Sequence, residues 1–277
     1  MKTSGKKSGI SAFSNHHVAF GVIALTLAMA PFSSRGQTSI GVNFAGRQWS
    51  IGGNTPETVT SSDFAGVVSQ QNWNNVDPAG HDSGGLSQIT GPNAGVLSDS
   101  TGTALAGMTF SYAAQGMWAV SQTTFTGNRQ LMNGYSDAEN SGNGHYNFGN
   151  ISYNLYDVYV YISADSNGRT AGVDINGGSQ TYLLTDANGY NYANPLIEGT
   201  ATTQGSAASA QYVLFQDVTG SSLSVDLNYY GQNVGVAGIQ IVAVPEPTTI
   251  AFSVAGLAML GLLRRWSCRQ GFKRQNS

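Results

Sequence analysis

Residues 222–229 read SLSVDLNY, and this stretch shows most clearly how the chain folds. Leucine, valine, leucine and tyrosine occupy every second position, with serine, aspartate and asparagine between them. Successive side chains of a β-strand point to opposite faces of a sheet, so this pattern predicts a strand with one apolar and one polar face. Residues 157–162 (DVYVYI) alternate too, with valine and isoleucine on one face and Asp157, Tyr159 and Tyr161 on the other.

The same alternation recurs along residues 37–244, where we find no segment with a helical period of 3.6. Turn pairs such as Asn167-Gly168 and Asn176-Gly177 separate the runs. About nine to eleven short strands of this kind predict an all-β fold, an antiparallel β-sandwich of jelly-roll type. The clearest candidate strands are residues 40–44, 108–112, 117–120, 146–151, 158–162, 173–175, 182–184, 212–215, 223–229 and 239–241.

Composition excludes several classes of protein. Charged residues make up only 10% of the 277 residues and hydrophobic ones 40%, which argues against a disordered chain. The 36 glycines follow no G-X-Y period, so the chain is not collagen-like. A net charge of -3 argues against a nucleic-acid-binding protein.

Charge is distributed unevenly along the chain. Residues 37–244 contain three of the 12 basic residues (Arg47, Arg129 and Arg169) and 14 of the 15 acidic ones, so the charge of this segment is 3 - 14 = -11. The other basic residues all lie before or after it. The basic ends and the acidic middle are therefore expected to serve different purposes.

The basic N-terminus is typical of a secretory signal peptide over residues 1–36. Three lysines precede an apolar run at 18–29, and the small residues Ser34 and Gly36 predict cleavage by signal peptidase before Gln37. The alternative is an N-terminal membrane anchor.

The C-terminal part predicts a single transmembrane helix at residues 248–263 (TTIAFSVAGLAMLGLL). Its 16 residues span about 24 Å, against a hydrocarbon core of about 30 Å. Arg264 and Arg265 follow directly, with three more basic residues behind them, so the tail stays in the cytoplasm and residues 37–244 face outward. The alternative is a helix buried in the protein core.

Pro245-Glu246-Pro247, the short apolar helix and the arginine cluster together resemble the PEP-CTERM sorting signal of Gram-negative bacteria. The resemblance covers residues 245–277 and implies recognition by exosortase, a membrane transpeptidase-like enzyme, with Arg264 and Arg265 as the basic stop. Segments of the middle, such as residues 39–44 and 238–242, are similar to uncharacterised PEP-CTERM ectodomains. The last of them, residues 238–242, also resembles the final strand of galactose-binding-like and malectin-like sandwiches. This second resemblance implies a carbohydrate-binding fold class and transfers no binding residue.

Motifs for catalysis are weak. His81-Asp82-Ser83 contains three catalytic residue types, but neighbours along a chain do not converge in the geometry of a triad, so a polar loop is the favoured interpretation. The single cysteine, Cys268, lies in the tail. Glycoside hydrolysis by a pair of carboxylates remains an alternative, although no pair of acidic residues stands out in the sequence.

Two candidate ligand sites remain. Asp137, Glu139, Asn140 and Asn143 offer oxygens to Ca²⁺, but their spacing is not that of a known calcium loop, and an acidic loop without metal is favoured. Tyr159 and Tyr161 would stack on sugar rings if their face of the strand is exposed. The alternative is that these tyrosines pair across strands, or that both faces of the sheet are covered.

The sequence therefore favours an exported, exosortase-sorted protein of the cell surface or extracellular matrix, without enzymatic activity or cofactor. Its expected partners are signal peptidase, exosortase, extracellular polysaccharide and, before processing, the inner membrane. The alternative function is a secreted, glycan-active enzyme on the same β-sandwich scaffold.

Overall fold

β-Strands make up most of the fold. The computed structural model describes residues 37–46, 58–76, 89–92, 96–114, 116–121, 123–137, 144–186, 194–230 and 234–245. Within these ranges the strands are β1 (Ser39–Phe44), β2 (Asn74–Val76), β3 (Ile89–Pro92), β4 (Thr109–Ala114), β5 (Gly116–Ala119), β6 (Gly134–Asp137), β7 (Gly144–Gly149), β8 (Leu155–Ala164), β9 (Thr170–Ile175), β10 (Tyr182–Asp186), β11 (Ala208–Ala210), β12 (Tyr212–Thr219), β13 (Ser222–Tyr229) and β14 (Val234–Ala243). A helix, α1 (Gly127–Leu131), and one 3-10 turn (Gln204–Ser206) complete the described elements.

The strands form two seven-stranded sheets. The first sheet has the order β12-β8-β14-β1-β2, and β6 also pairs with β14 and carries β5 on its other side. The second sheet has the order β11-β10-β9-β13-β7-β4-β3. The prediction of an all-β fold is confirmed, and each of the ten candidate strands overlaps an observed one.

The sheets are mixed, whereas the sequence predicted an antiparallel arrangement. β1 pairs with β2 in parallel, and so does β10 with β11, whereas the other pairs are antiparallel. In both cases a long segment separates the two strands (45–73 and 187–207). Such a connection lets the chain return and run in its original direction, which a two-residue turn cannot do.

The main core lies between the two sheets. Phe44 of the first sheet contacts Phe110 and Tyr146 of the second, with ring centroids 6.2 and 5.1 Å apart. Further along the interface, Tyr182 of the second sheet meets Phe215 of the first at 5.1 Å. In β7 and β13 the residues between the buried ones are partly or fully exposed, so the second sheet has one face in the core and one face toward solvent.

The first sheet is covered on both faces. A second apolar cluster lies on its outer face, and it includes Val59, Ala65 and Trp73 from the segment 58–73 and Leu131 from α1. As a result, β8 is buried continuously from Val158 to Ala164. A strand covered on both sides needs no polar face, which explains why the residues on both faces of β8 are large and mostly apolar.

The two ends of the described domain lie side by side. The Ala243 amide donates to the Thr38 carbonyl at 3.0 Å, and the Val244 amide donates to the Leu155 carbonyl at 2.9 Å. The turn from β12 to β13, at Gly220, is at this same end, because Thr219 lies opposite Leu155. We call this the terminal end, and the opposite end, where β13 finishes, the far end.

No helix within the described ranges is long and apolar enough to cross a membrane. The predicted signal peptide (1–36) and transmembrane helix (248–263) lie outside those ranges.

Candidate functional site

Tyr159 and Tyr161 do not form an exposed stripe. Tyr159 is 9% exposed and Tyr161 fully buried, because the segment 58–73 covers their face of the sheet. The Tyr161 hydroxyl donates to Gln240 Oε1 at 2.7 Å and accepts from the Val67 amide at 2.8 Å. The expectation of outward-facing tyrosines was wrong, and the alternative of a sheet covered on both faces is confirmed. Neither ring has the free face that stacking on a sugar requires.

The calcium prediction is not tested by the structure. Asp137 ends β6 and is buried, whereas Glu139, Asn140 and Asn143 lie outside the described residues. In the part of the chain that is described, no group of three or more His, Cys, Asp or Glu side chains could hold a metal ion.

Of the sorting motif, Pro245 is described and exposed, two residues after the end of β14, and Glu246, Pro247, Arg264 and Arg265 are not described. His81-Asp82-Ser83 also lies outside the described residues.

A row of polar side chains crosses the outer face of the second sheet. Asp226 of β13 lies opposite His145 of β7 on one side and opposite Asp174 of β9 on the other. His145 Nδ1 contacts Asp226 Oδ1, and Asn228 Nδ2 donates to Asp174 Oδ2 at 2.6 Å. We call His145, Asp174, Asp226 and Asn228 the polar row.

The alternating sequence of β13 is what positions this row. Val225 and Leu227 point into the core and are fully buried, so Asp226 and Asn228 must point outward. The neighbouring strands follow the same rule, because Tyr146 and Val173 are buried beside His145 and Asp174. The row therefore rests on side chains that the core holds in register.

The row is partly shielded from water, and this changes the acidity of one member. Burial raises the pKa of the Asp174 carboxyl, and the nearby Asp226 raises it further, while the hydrogen bond from Asn228 lowers it in part. His145 is more open, with 48% of its side chain exposed against 22% for Asp226. The row can thus accept hydrogen bonds through its carboxylates and donate them through Asn228 and His145.

An exposed aromatic ring lies beside the polar row. Tyr230 follows the end of β13 and is 42% exposed. Its ring lies over Gly172, where an added Cβ would come within 2.5 Å of Tyr230 Cε2. Gly172 lies opposite Asn228 and is two residues before Asp174 on the same face of β9. The glycine therefore makes room for a ring next to two hydrogen-bonding side chains.

Sequence reasoning missed this combination. The polar face of residues 222–229 was visible as alternation, and Asp174 was visible between Val173 and Ile175. Their proximity depends on the pairing of β13 with β9, which the alternation alone does not determine. The position of Tyr230 over Gly172 carries no signal in the sequence beyond the presence of an unusual glycine inside a strand.

A second group of polar side chains lies at the edge of the first sheet. The Tyr212 hydroxyl is 3.4 Å from Glu198 Oε2, and its ring packs 5.9 Å from that of Tyr159. Burial, followed by the Glu198 carboxylate, raises the pKa of Tyr212 to about 12. Its phenol therefore stays protonated at neutral pH and acts as a hydrogen-bond donor, not as a base.

No family model and no curated protein matches the chain. Among solved structures, a family GH115 4-O-methyl-α-glucuronidase with specificity for decorated arabinogalactans is similar over 40% of this chain. The match has 9% sequence identity and a TM-score of 0.25, and it covers 14% of the glucuronidase chain. A similarity this small carries no argument about the function of this chain.

Proposed function

We propose that this chain is the precursor of an exported, exosortase-sorted surface or matrix protein, and that its β-domain binds exopolysaccharide without catalysing a reaction. The observation that carries the binding part is the exposed ring of Tyr230 beside Asp174 and Asn228 on the outer face of the second sheet. Sorting rests on the sequence resemblance of residues 245–277 alone.

The chemistry of the site fits a sugar. An aromatic ring can pack against the C–H groups on one face of a pyranose, since both surfaces are apolar. Carboxylate and amide groups can bond to the hydroxyls around its edge, because each hydroxyl both donates and accepts. Tyr230 supplies the first kind of contact, and Asp174, Asp226 and Asn228 supply the second.

The position of the site supports a role at the cell surface. Residues 38 and 243 pair at the terminal end, so both predicted membrane-directed segments leave the domain there. Tyr230 follows the last residue of β13, whereas Ser222, its first residue, lies at the terminal end. Seven steps along a strand cover about 23 Å, so β13 carries the chain roughly that far from the terminal end before it reaches Tyr230. A ligand can therefore reach Tyr230 while the precursor is still anchored.

We also propose jelly-roll connectivity for the domain. Along the chain, β7, β8 and β9 lie alternately in the second, first and second sheets, and β12, β13 and β14 alternate in the same manner. Repeated crossing from one sheet to the other is how jelly-roll and Greek-key sandwiches are connected.

Binding is tested by affinity electrophoresis of the exported protein through gels that contain neutral polysaccharides. We expect Tyr230→Ala to remove most of the retardation that the wild type shows in at least one gel. Phe64→Ala is the matched control, because Phe64 is an aromatic residue that is 62% exposed on the segment covering the first sheet. Equal retardation of wild type and Tyr230→Ala would reject the site.

The enzyme alternative is tested with the same ligands. Asp174 and Asp226 lie opposite each other on neighbouring strands, so they are the carboxylate pair on which hydrolysis would have to rest. Each is bonded to Asn228 or His145. Release of shorter oligosaccharides by the wild type, lost in Asp226→Asn, would support hydrolysis over binding.

Export and sorting are tested by fractionation. We expect the mature protein outside the inner membrane, without residues 1–36 and without residues beyond about position 247. A full-length chain retained in the inner membrane would contradict this part of the proposal.

A further inference from the structure

Gln37 is the residue that signal peptidase is expected to leave at the N-terminus, and its surroundings give it a chemical role. In the structure it is exposed and precedes β1 by two residues. Its side-chain amide donates to the Ala243 carbonyl on the neighbouring strand. The next residue, Thr38, is held by the hydrogen bond that its carbonyl accepts from Ala243.

We propose that Gln37 is a modification site, at which the new N-terminus cyclises to pyroglutamate; this rests on the export part of the proposed function. Cleavage of the Gly36–Gln37 bond frees the α-nitrogen as a primary amine. That nitrogen attacks the side-chain carbon Cδ, and a five-membered lactam forms. The bond from Cδ to Nε2 breaks, and Nε2 leaves as ammonia with a proton from the attacking amine, so no oxidant or other reactant is needed.

The fold permits this reaction without loss of strand pairing. The ring forms within Gln37, while the sheet is held from the following residues onward: the Thr38 carbonyl accepts from Ala243 at 3.0 Å, and the Ser39 carbonyl accepts from Ser100 at 2.7 Å. Because Gln37 lies before β1, closure of the lactam breaks no pairing of β1 with β14, which begins at Ser39.

The fold also slows the cyclisation of Gln37. The hydrogen bond from the Gln37 side-chain amide to the Ala243 carbonyl ties the side chain to the neighbouring strand β14. The lactam can form only after this hydrogen bond has broken, so we expect Gln37 to cyclise more slowly in the folded protein than in a free peptide of the same sequence. The attacking amine must be unprotonated, so the rate rises as the pH passes through about 8, the usual pKa of an α-amino group.

The test uses the full chain with its own leader, expressed in a Gram-negative host, and mass spectrometry of the exported protein. The first arginine after the predicted cleavage site is Arg47, so trypsin releases residues 37–47 as the N-terminal peptide. We expect this peptide to be lighter than the unmodified one by one ammonia after incubation at pH 8. Gln37→Asn is the control, because its shorter amide would have to close a strained four-membered ring and keeps its free amine.

The outcomes separate the two proposals. A peptide that begins at Gln37 and keeps its amine after prolonged incubation at pH 8 would overturn the cyclisation and leave export intact. A peptide that begins at any other residue would overturn both the expected cleavage and the cyclisation. Equal rates in the folded protein and in a synthetic peptide of residues 37–47 would overturn the restraint by Ala243.

Discussion

Removal of a single hydroxyl, in Tyr161→Phe, should destabilise the domain far more than its size suggests. The Tyr161 hydroxyl is buried between the first sheet and the segment 58–73, where it bonds to Gln240 Oε1 and to the Val67 amide. Gln240 in turn donates to the Val68 carbonyl at 2.6 Å and to Gln70 Oε1 at 2.8 Å. Phenylalanine fits the same space but leaves the Val67 donor and the Gln240 acceptor without this partner.

Each buried polar group that loses its partner costs about 1–3 kcal/mol, so the two together lower the free energy of unfolding by about 2–6 kcal/mol. For a domain of this size, 1 kcal/mol shifts the melting temperature by about 2–4 °C, which gives a fall of at least about 4 °C. Calorimetry of the wild type, Tyr161→Phe and Tyr159→Phe measures the effect.

Tyr159→Phe is the matched control, since it makes the same change two residues earlier on the same face of β8, in a residue that is less buried. We expect it to change the free energy of unfolding by no more than about 0.5 kcal/mol. If both variants melt together with the wild type, the hydroxyl network does not hold the covering segment on the sheet, and the reasoning fails.

Three further predictions follow from the second sheet and from glycine packing. Gly172→Val should weaken polysaccharide retention as Tyr230→Ala does, because its side chain would occupy the place of the Tyr230 ring; unchanged retention in the same gels would contradict the stacking role. The pKa of Asp174 is raised in the folded state, so at pH values just above the ordinary pKa of 3.8 the native state binds more protons than the unfolded state. The contribution of Asp174 to the free energy of unfolding therefore falls as the pH rises through this range. Denaturant titrations at several pH values should show a smaller fall in the free energy of unfolding for Asp174→Asn than for the wild type. Gly235→Ala should prevent normal folding, because its Cβ would lie 2.1 Å from the Ser136 carbonyl oxygen, and soluble expression with native circular dichroism would show this to be wrong.

Much of the strand content could be predicted because the second sheet has one face in water. Leu223, Val225 and Leu227 point into the core, and the residues between them are polar. The alternation of apolar and polar residues can therefore be recognised in the amino-acid sequence. The turn at Asn176-Gly177 was predicted for the same local reason. Both residues have positive φ, 54° and 61°, which asparagine and glycine tolerate better than other residues.

The first sheet shows where such reasoning ends. Alternation in β8 correctly separated Val158, Val160 and Ile162 from Tyr159 and Tyr161, but it does not state what covers each face. The cover comes from residues 58–73, whose glycine, serine and asparagine content resembles that of a loop, and which are held through Gln240, Gln70 and Asn128. Short strands such as β2 and β11 were missed because three residues contain too little alternation to read.

The outer faces of the two sheets explain why the candidate site lies where it does. On the first sheet the segment 58–73 takes up the hydrogen-bonding capacity of Tyr161 and Gln240, so those groups stabilise the fold and are not free for a ligand. On the second sheet Asp226 and Asn228 share β13 with core residues, and a slip of one residue in register would turn both toward the interior. Core packing and the polar row are therefore fixed by the same alternation. We therefore expect substitutions on the outer face of β13 to affect the proposed ligand binding while the core that holds their backbone stays intact.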